Sequence, residues 1–499
     1  MQGLTRRGLL LGSGAALGAL GTRYLYDSGA PERPAFPGNG SPPGNGGTLL
    51  NDASELSPTR VAKHLTLTED PRESFIALLR QELQAARASG RPVAVSAARH
   101  SLGGQSLAAN GLAVTLDQSL IETDTAAGIY RVAAGVRWHR VIERLDSLGF
   151  SPAVMQSNND FGVASTFCVN AHGWPVPYGP FGGTVRALKL MLSDGQLVTC
   201  SRRENAGLFA LAMGGYGLTG IVTELDIQMV PNARLEPKYE RLPAKGYGSR
   251  FAEAVTRDPA VQLAYGRMNV TVERFLEEAV MVTYRPALDQ TQLPRASRSG
   301  LMGFASRQVL RGQLGSDRMK ELRWTLETGV APLLTGGAMT RNSLLDEPVA
   351  TLAEDDPTRS DILHEYFVAP ERFDDFIAAC QAIIPSSYQE LLNVTLRYVA
   401  GDGESVLAYA TAPRIAAVML FSQEKTRRGE ADMARITGAL IESVLALGGS
   451  YYLPYRLHAT ARQIVRAYPR LPEFAARKRV LDPGLLFRNS LWDRYMATL

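Results

Sequence analysis

The feature that most constrains the fold is a run of small residues that joins two apolar segments without a helical pattern in between. The run extends from Ser96 to Ser106, and short strands are predicted on either side of it, over 92–95 and 111–117. A loop of this kind can turn several backbone N–H groups inward, and such a concave nest binds anions. Because small side chains leave the backbone accessible, the loop predicts a site for a pyrophosphate group.

His100 lies inside this loop, next to the position that the phosphates would occupy. Histidine is a frequent functional residue because its charge changes near neutral pH. From the loop sequence alone, an equally good interpretation is that His100 makes only local hydrogen bonds and has no function.

A second glycine pattern matches a nucleotide-binding motif but has the wrong structural context. Residues 215–220 match G-x-G-x-x-G, the fingerprint of dinucleotide binding in a doubly wound fold. That fingerprint needs a strand before it and a helix after it, so that the pyrophosphate meets a helix N-terminus. Here a helix is predicted over 204–213 and a strand over 221–230, in the reverse order. These glycines are therefore predicted to form a tight helix-to-strand connection.

The composition is that of a water-soluble globular protein, with 45% hydrophobic and 20% charged residues over a length of 499. Two closely packed domains are expected at this length. A formal net charge of +4 gives no reason to expect nucleic acid as a partner. The cysteines, Cys168, Cys200 and Cys380, have neither zinc-site spacing nor the density of a disulfide framework, and no metal site is expected.

Residues 1–30 have the arrangement of a twin-arginine export signal. Arg6 and Arg7 directly precede an apolar run over 8–20, which is too short for a comfortable membrane span. We expect export by the twin-arginine route to the periplasm or the outside of the cell. A frayed terminus is the plain alternative, and an uncleaved N-terminal anchor stays open; no other transmembrane segment is expected. Residues 31–50, rich in Pro and Gly, are predicted to be a flexible linker.

Several segments resemble, in order and spacing, those of the vanillyl-alcohol oxidase/p-cresol methylhydroxylase (PCMH-type) superfamily of FAD-linked oxidoreductases. Residues 99–105 resemble its pyrophosphate loop, in which the histidine is often bonded covalently to the flavin 8-methyl group. Residues 161–173 resemble the second flavin-contacting segment, and 478–487 the closing segment. The histidine points toward the alditol oxidase and cytokinin dehydrogenase branches. The Asn-Ala-His-Gly and Gly-Gly-Tyr-Gly-Leu-Thr-Gly patterns are similar to those of decaprenylphosphoryl-ribose oxidases.

The resemblance implies an α+β fold in which a two-part, PCMH-type FAD-binding domain carries an inserted α+β substrate (cap) domain. The implied boundaries are 51–233 for the FAD-binding domain, 234–449 for the cap, and 450–499 for the segment that returns to the FAD domain. FAD is the implied cofactor, attached covalently through His100. The residues expected to contact FAD are Ser96, Ala97, Ala98, Arg99, His100, Ser101, Leu102, Gly103, Gly104, Gln105, Ser106, Asp160, Gly162, Ser165, Asn170, His172, Gly173, Gly217, Gly220, Ile221 and Val222.

Two of these residues have a more specific prediction. Asp160 is predicted to cap a short helix over 162–170, whose N-terminus would favour phosphate. His172 follows that helix, either near the isoalloxazine ring or as a packed histidine bonded to the backbone, and both interpretations stay open.

The cap alternates extended and helical patterns. Helices are predicted over 373–384 and 430–447. Polar residues on the strands are candidates for substrate contact, and a solvated outer sheet face is the alternative. These candidates are Glu365, Asn393, Thr395 and Arg397. The predicted strands are 261–268, 278–284, 364–368, 392–399, 405–409 and 416–421.

Catalysis is assigned to Tyr455 with Arg456 beside it, together with Arg397 and Glu365. A neighbouring cation would lower the pKa of the phenol, which could then accept the proton of a substrate hydroxyl.

The resemblance implies hydride transfer from a CH–OH group of a sugar-like, polyol-like or other small alcohol to the flavin, with CH–NH donors as a variant. Electrons would then pass to oxygen, a quinone or a redox protein. Two rival functions remain: the sugar-oxidising half of a two-protein epimerase, and a flavin-retaining protein that only binds its ligand.

Overall fold

A computed structural model describes residues 47–291, 293–296, 309–330, 339–348 and 356–499. The predicted export signal and most of the predicted linker lie outside the described residues. Within these ranges, no helix combines the length and apolar character needed to cross a bilayer.

The N-terminal part of the chain alternates strands with short helices. Its strands are β1 (Thr48–Leu50), β2 (Thr59–Val61), β3 (Lys63–Leu67), β4 (Val93–Ser96), β5 (Leu112–Leu116), β6 (Ile121–Asp124), β7 (Ile129–Ala133), β8 (Phe150–Pro152), β9 (Val185–Met191), β10 (Leu197–Ser201) and β11 (Ile221–Pro231). Its helices are α1 (Glu73–Ala88), α2 (Trp138–Asp146), α3 (Val163–Cys168) and α4 (Ala206–Ala212).

These strands form two main sheets. β3, β5 and β4 form a parallel sheet, and β10, β9, β11, β7 and β6 follow one another in a second sheet, with β8 paired to β11. Helix α1 packs on the parallel sheet because its apolar residues recur at helical spacing, from Phe75 through Leu79 to Leu83, and all three are buried. The strands predicted on either side of the small-residue loop are confirmed as β4 and β5, and no helix lies between them.

The glycine pattern at residues 215–220 connects helix α4 to strand β11, as predicted. Gly217 has a φ of +71°, in the left-handed region that favours glycine. The order helix, turn, strand confirms that this segment is not a Rossmann turn.

The cap is built on one large sheet covered by helices. Its strands are β12 (Arg234–Pro243), β13 (Leu263–Met268), β14 (Glu278–Pro286), β15 (Met339–Thr340), β16 (Arg359–Val368), β17 (Glu390–Val399), β18 (Arg414–Glu424) and β19 (Ser450–Tyr451), in the sheet order β15-β12-β14-β13-β17-β18-β16-β19. Its helices are α5 (Tyr247–Thr256), α6 (Asp317–Thr325), α7 (Arg341–Leu345), α8 (Phe373–Ile383) and α9 (Arg427–Ala446). β11 ends at Pro231 and β12 begins at Arg234, on either side of the predicted domain boundary.

Most of the predicted cap elements are confirmed, and one strand is wrong. Residues 405–409 form a turn, because the Asp402 carboxylate accepts hydrogen bonds from the backbone N–H groups of Glu404 and Ser405, at 2.9 and 3.1 Å. Val406 is buried in this turn, and its apolar side chain gave the segment the sequence pattern of a strand.

The last part of the chain returns to the parallel sheet through helices α10 (Ala461–Ala467) and α11 (Leu471–Leu481). The N–H of Val93 in β4 donates to the carbonyl of Leu486 at 2.6 Å, and the N–H of Arg488 donates back to Val93 at 3.2 Å. The C-terminal segment therefore extends the sheet at the edge next to the small-residue loop.

Candidate cofactor and substrate site

A cavity of about 990 Å³ lies between the small-residue loop and one face of the cap sheet. This volume is at the upper end of the range for sites that bind cofactors and small ligands, about 300–1,000 Å³. We call residues 96–106 the loop wall, and the cavity-lining side chains of β13, β16 and β17 the cap wall. Of the predicted cofactor-binding residues, the following line the cavity: Ser96, Ala97, Ala98, Arg99, His100, Ser101, Leu102, Gln105, Ser106, Gly162, Ser165, His172, Gly217, Gly220, Ile221 and Val222.

The loop wall presents hydrogen-bond donors that the described residues do not satisfy. The backbone N–H groups from Ala98 to Ser101 have no acceptor in the described part of the chain. Nη1 of Arg99 is also buried there without a partner. Donors of this kind fit the pyrophosphate of a dinucleotide, so the FAD predicted from the sequence matches the chemistry of this wall.

Gly103 and Gly104 were predicted to contact the cofactor, and neither of them lines the cavity. Their N–H groups donate to protein acceptors, Gly103 to Oε1 of Gln105 at 2.9 Å and Gly104 to Oδ2 of Asp52 at 2.6 Å. A Cβ atom on Gly103 would lie 2.5 Å from the carbonyl oxygen of Tyr455. These glycines allow the C-terminal segment to approach the loop closely.

The side chain of Gln105 joins the loop to that segment. Its Nε2 donates to the carbonyls of Leu453 and Tyr455, at 2.7 and 2.8 Å, while the N–H of Leu102 donates to the carbonyl of Pro454 at 2.9 Å. The amide of Gln105, although it lines the cavity, is therefore occupied in holding residues 453–455 in place.

His100 faces the cavity and packs against Phe161, with 4.4 Å between the ring centroids. Burial lowers the pKa of His100; the Asp160 carboxylate opposes this shift and the Arg137 guanidinium adds to it. The ring is therefore neutral at pH 7, with a nitrogen lone pair available.

The predicted role of Asp160 as a helix cap is wrong. The helix begins at Val163, its N-cap residue is Gly162, and no side chain caps it. Gly162 is required at this position because a Cβ atom there would lie 2.4 Å from Cβ of Ala97. Asp160 does not line the cavity.

Asn170 and Gly173, also predicted to contact the cofactor, do not line the cavity either. Nδ2 of Asn170 donates to Asp402 at 2.9 Å, and its Oδ1 accepts from the N–H of Gly182 at 2.8 Å. A Cβ atom on Gly173 would lie 1.9 Å from the carbonyl oxygen of Met155. Both residues shape the backbone on either side of His172.

The polar cap candidates lie on the face of the sheet that covers the cavity, and the alternative of a solvated face is excluded. Asn393, Thr395 and Arg397 alternate along β17, and all three line the cavity. In the sheet, Val418 is the neighbour of both Glu365 and Thr395, and Thr395 is also the neighbour of Arg267. Glu365, Val418, Thr395 and Arg267 therefore lie in one row across the strands.

His172 connects the cofactor side to the cap. Its Nε2 lies 2.5 Å from Oε1 of Glu365, and its Nδ1 is buried without a partner. The hydroxyl of Tyr455 donates to the other oxygen, Oε2 of Glu365, at 3.0 Å. The interpretation of His172 as a histidine bonded to the backbone is therefore wrong, since its partner is a carboxylate in the cavity.

Arg456 is not the partner of Tyr455. Its guanidinium binds the carboxylate of Glu430, and Nη1 donates to Oγ of Ser57 at 2.9 Å and to the carbonyl of Leu102 at 3.1 Å. Arg456 does not line the cavity, because successive residues of this extended segment point in different directions. Its role is to fix the cap helix α9 to the loop wall.

The pKa shifts reverse the roles predicted for the phenol. Burial raises the pKa of Tyr455 well above its usual value, and the charge of Glu365 adds to the effect. Burial alone would raise the pKa of Glu365, but His172, Arg397 and Tyr455 bring it below the usual range. At neutral pH the site therefore holds a protonated phenol hydrogen-bonded to an ionised carboxylate.

The lining residues that the sequence interpretation missed include Arg267, Phe161 and Trp174. Arg267 was inside a predicted strand and follows Tyr265 at the alternation of a sheet face, so it had a usable signal. Phe161 also had one, because it begins the segment that resembles a flavin-contacting segment. Trp174 had none, since its position depends on how the chain folds around α3.

The backbone anion nest, the neutral histidine beside it and the covering antiparallel sheet fit an FAD-binding site of the kind that the resemblance predicts. Residues 76–201 match the family described as "FAD binding domain". This match and the relatives below support the predicted resemblance to the PCMH-type superfamily of FAD-linked oxidoreductases.

Curated relatives match part of the chain. Cytokinin dehydrogenase 4 of Oryza sativa subsp. japonica is 29% identical over 167 residues, which is 32% of either chain. D-arabinono-1,4-lactone oxidase of Yarrowia lipolytica is 30% identical over 161 residues, 30% of either chain. Cytokinin dehydrogenase 1 of Arabidopsis thaliana is 30% identical over 151 residues, 29% of this chain and 26% of that protein. The chain thus spans less than a third of the length of these relatives.

Proposed function

We propose that the protein is an FAD-dependent oxidoreductase that oxidises a CH–OH group of a small alcohol, sugar or polyol. The observation that carries the proposal is the contact of Glu365 with both His172 and Tyr455 on the wall of a cavity that fits FAD. Bound FAD would supply the acceptor for the hydride of the substrate C–H bond.

The protein's own contribution is removal of the hydroxyl proton. The substrate hydroxyl would donate to the Tyr455 oxygen while the phenol proton passes to Oε2 of Glu365, 3.0 Å away. Proton transfer by a positioned side chain contributes roughly 10²–10⁴-fold to a rate. His172 holds Glu365 by the other oxygen, which keeps the carboxylate directed at the phenol.

Covalent attachment of FAD through His100 is part of the proposal. Burial keeps His100 neutral at pH 7, and a neutral imidazole has the lone pair that would bond to the flavin 8-methyl carbon. The replaced methyl hydrogen would leave as a proton, and the two electrons of its bond would reduce the flavin ring, which an external acceptor such as oxygen would then reoxidise. The closely packed ring of Phe161 would hold the imidazole in one orientation.

The test is to purify the full-length protein, record its visible spectrum and denature it in acid. We expect a yellow protein whose colour stays with the precipitate, and His100→Ala should release the colour into the supernatant. A protein without flavin absorbance, even after reconstitution with FAD, contradicts the proposed function. Colour released from the unaltered protein contradicts only the covalent bond.

A substrate panel under anaerobic conditions then separates the alternatives. Bleaching by alcohols supports the proposed donor, and bleaching by amines alone would assign a CH–NH donor, as the cytokinin dehydrogenase relatives suggest. A protein that retains its flavin colour with every compound would be a binding protein. The reduced protein, mixed with oxygen, a quinone or a redox protein, identifies the electron acceptor by the rate of reoxidation.

Export by the twin-arginine route completes the proposal, on the support of Arg6, Arg7 and the apolar run that follows. Replacing both arginines by lysine should retain the protein in the cytoplasm, which cell fractionation measures. Unchanged export of the double variant would contradict this route.

A further inference from the structure

The cap wall carries positive charge that the protein does not neutralise. Arg397 is 8% exposed and makes no hydrogen bond or ion pair with any described residue, and its Nε is buried without a partner. A guanidinium stays charged at all physiological pH values, and a buried charge without a hydrogen-bond partner is unfavourable. Such a group is stable when a bound molecule supplies the acceptor.

A second arginine lies beside it. Nη1 of Arg267 donates to Oγ1 of Thr395 at 2.5 Å, and its guanidinium lies over the ring of Tyr265, 5.7 Å from the centroid. No carboxylate of the described residues forms an ion pair with Arg267. The charge of Arg267 contributes to lowering the pKa of Arg397, as expected for two guanidinium groups in one region of the wall.

The other cations of the cap that face the cavity already have partners. Arg323 pairs with Glu327 at 2.8 Å, Arg359 lies 3.7 Å from Glu424, and Lys425 binds Glu55. Glu365 is the carboxylate whose charge acts on Arg397, whereas Glu347 and Asp356 line other parts of the same cavity. Among the described residues, this region therefore has one positive charge in excess.

An independent observation indicates the same ligand chemistry. The indole Nε1 of Trp174 is a donor that is buried without an acceptor, and Trp174 lines the cavity next to Tyr265, with 4.8 Å between the ring centroids. Unsatisfied donors with a single excess positive charge require a ligand that is rich in acceptors and carries one negative charge.

We propose that the substrate is a hydroxy acid, whose carboxylate binds Arg397 and Arg267 while its hydroxyl faces Tyr455 and Glu365. This inference rests on the proposed function and specifies its substrate class. A carboxylate matches the planar fork of a guanidinium and carries the single charge that balances the wall, whereas a phosphate dianion would leave a negative excess. Arg397 lies two residues along β17 from Thr395, and Thr395 is in the same row of the sheet as Glu365. A small molecule can therefore place its carboxylate at Arg397 and its hydroxyl at Glu365.

The experiment uses the flavin-loaded, full-length protein and follows the visible spectrum of the flavin during titration. The probes are matched pairs that differ only in charge: acetate with acetamide, benzoate with benzamide, glycerate with glycerol, and gluconate with glucitol. We expect the acid of at least one pair to bind at least tenfold tighter than its neutral partner, and tighter than inorganic phosphate. Equal binding within every pair, or tightest binding of phosphate, overturns the inference.

Variants locate the carboxylate site. Arg397→Gln should abolish the preference for the acid without loss of flavin, and Arg397→Lys, which keeps the charge but not the fork, should retain part of it. The matched control is Arg285→Gln, because Arg285 lies on cap strand β14 outside the cavity and pairs with Asp258 at 2.7 Å; the preference of this variant should stay within twofold of the unaltered protein. Thermal melting verifies that each variant folds.

Two outcomes separate this inference from the proposed function. Loss of flavin from a folded Arg397→Gln protein would assign Arg397 to the cofactor and overturn the hydroxy-acid site. A protein that holds no flavin at all contradicts the proposed function. A yellow protein that alcohols bleach, but that binds acids no better than neutral partners, contradicts only the hydroxy-acid site.

Discussion

The two walls of the cavity use different parts of the chain. The loop wall presents backbone N–H groups from one continuous segment of small residues, and its only charged side chain is Arg99. The cap wall presents the side chains of Glu365, Thr395, Arg397 and Arg267, which come from different strands and meet through the register of the sheet. Backbone groups suit a pyrophosphate, which is the same in every molecule of the cofactor. Side chains set the contacts with the substrate, which differ from one enzyme to another.

The largest effect that tests this difference is expected on the cap wall. Glu365→Gln removes the proton acceptor but keeps the shape of the side chain, so the rate of flavin reduction should fall by at least about a hundredfold. Stopped-flow absorbance measures that rate with any substrate that bleaches the protein. Glu390→Gln, also on a cap strand but outside the cavity, should leave the rate within twofold. A normal rate in Glu365→Gln would show that the base is elsewhere.

The next effect is on the loop wall and concerns stability. Gly103→Ala places a Cβ atom 2.5 Å from the carbonyl oxygen of Tyr455, so the free energy of unfolding should fall by about 2 kcal/mol, the usual range for overpacking being roughly 1–3 kcal/mol. Denaturant unfolding followed by fluorescence measures it, and the flavin content should decrease. Gly183→Ala is the control, since no atom lies within 4 Å of its added Cβ. Equal stability of the two variants would refute the close contact.

A smaller effect is expected for the phenol of the cap wall. Tyr455→Phe removes the hydroxyl that donates to Glu365, and flavin reduction should slow by at least about tenfold, with flavin content and melting temperature unchanged. Tyr388→Phe, at a tyrosine that is 40% exposed, serves as the control. An unaltered rate would leave Glu365 to take the proton directly.

The smallest effect concerns the contact that joins the two walls. Burial alone would raise the pKa of Glu430, but hydrogen bonds and charges from His458 and Arg456 lower it below its usual value. A carboxylate with a lowered pKa stabilises the folded state above its unfolded pKa of about 4.3, and this contribution disappears as the pH falls through the folded pKa.

Glu430→Gln should therefore reduce the free energy of unfolding by about 1 kcal/mol at pH 7, and the difference from the unaltered protein should shrink below pH 4. Urea unfolding at pH 7 and pH 3 measures the two differences. A difference that is constant or larger at pH 3 would have the wrong sign for this ion pair.

The fold was predictable where local signals and spacing agreed. The strands around the loop and the reversed order of helix and strand at residues 215–220 follow from periodicity and turn residues. The strand predicted over 405–409 failed because the side chain of Asp402 organises a buried turn, and apolar periodicity does not register that contact.

The site was predictable on one wall only. Residues of one continuous loop are neighbours in space as well as in sequence, so most of residues 96–106 were correctly predicted to lie at the cavity. The pairing of His172 with Glu365 joins residues 193 positions apart, and it exists only because the cap sheet covers α3. Arg456 was assigned to Tyr455 because the two are adjacent in sequence, yet their side chains diverge, and Glu430 in α9 captures the guanidinium.

The edge that Leu486 and Arg488 add to strand β4 has a consequence for the order of events during synthesis. Residues 486–488 are translated long after strand β4, yet they complete the sheet beside the anion nest, and residues 453–455 support the nest itself. A nascent chain that ends before these residues therefore lacks a finished site for the nucleotide. Stable binding of the cofactor should accordingly follow, and not precede, translation of this segment.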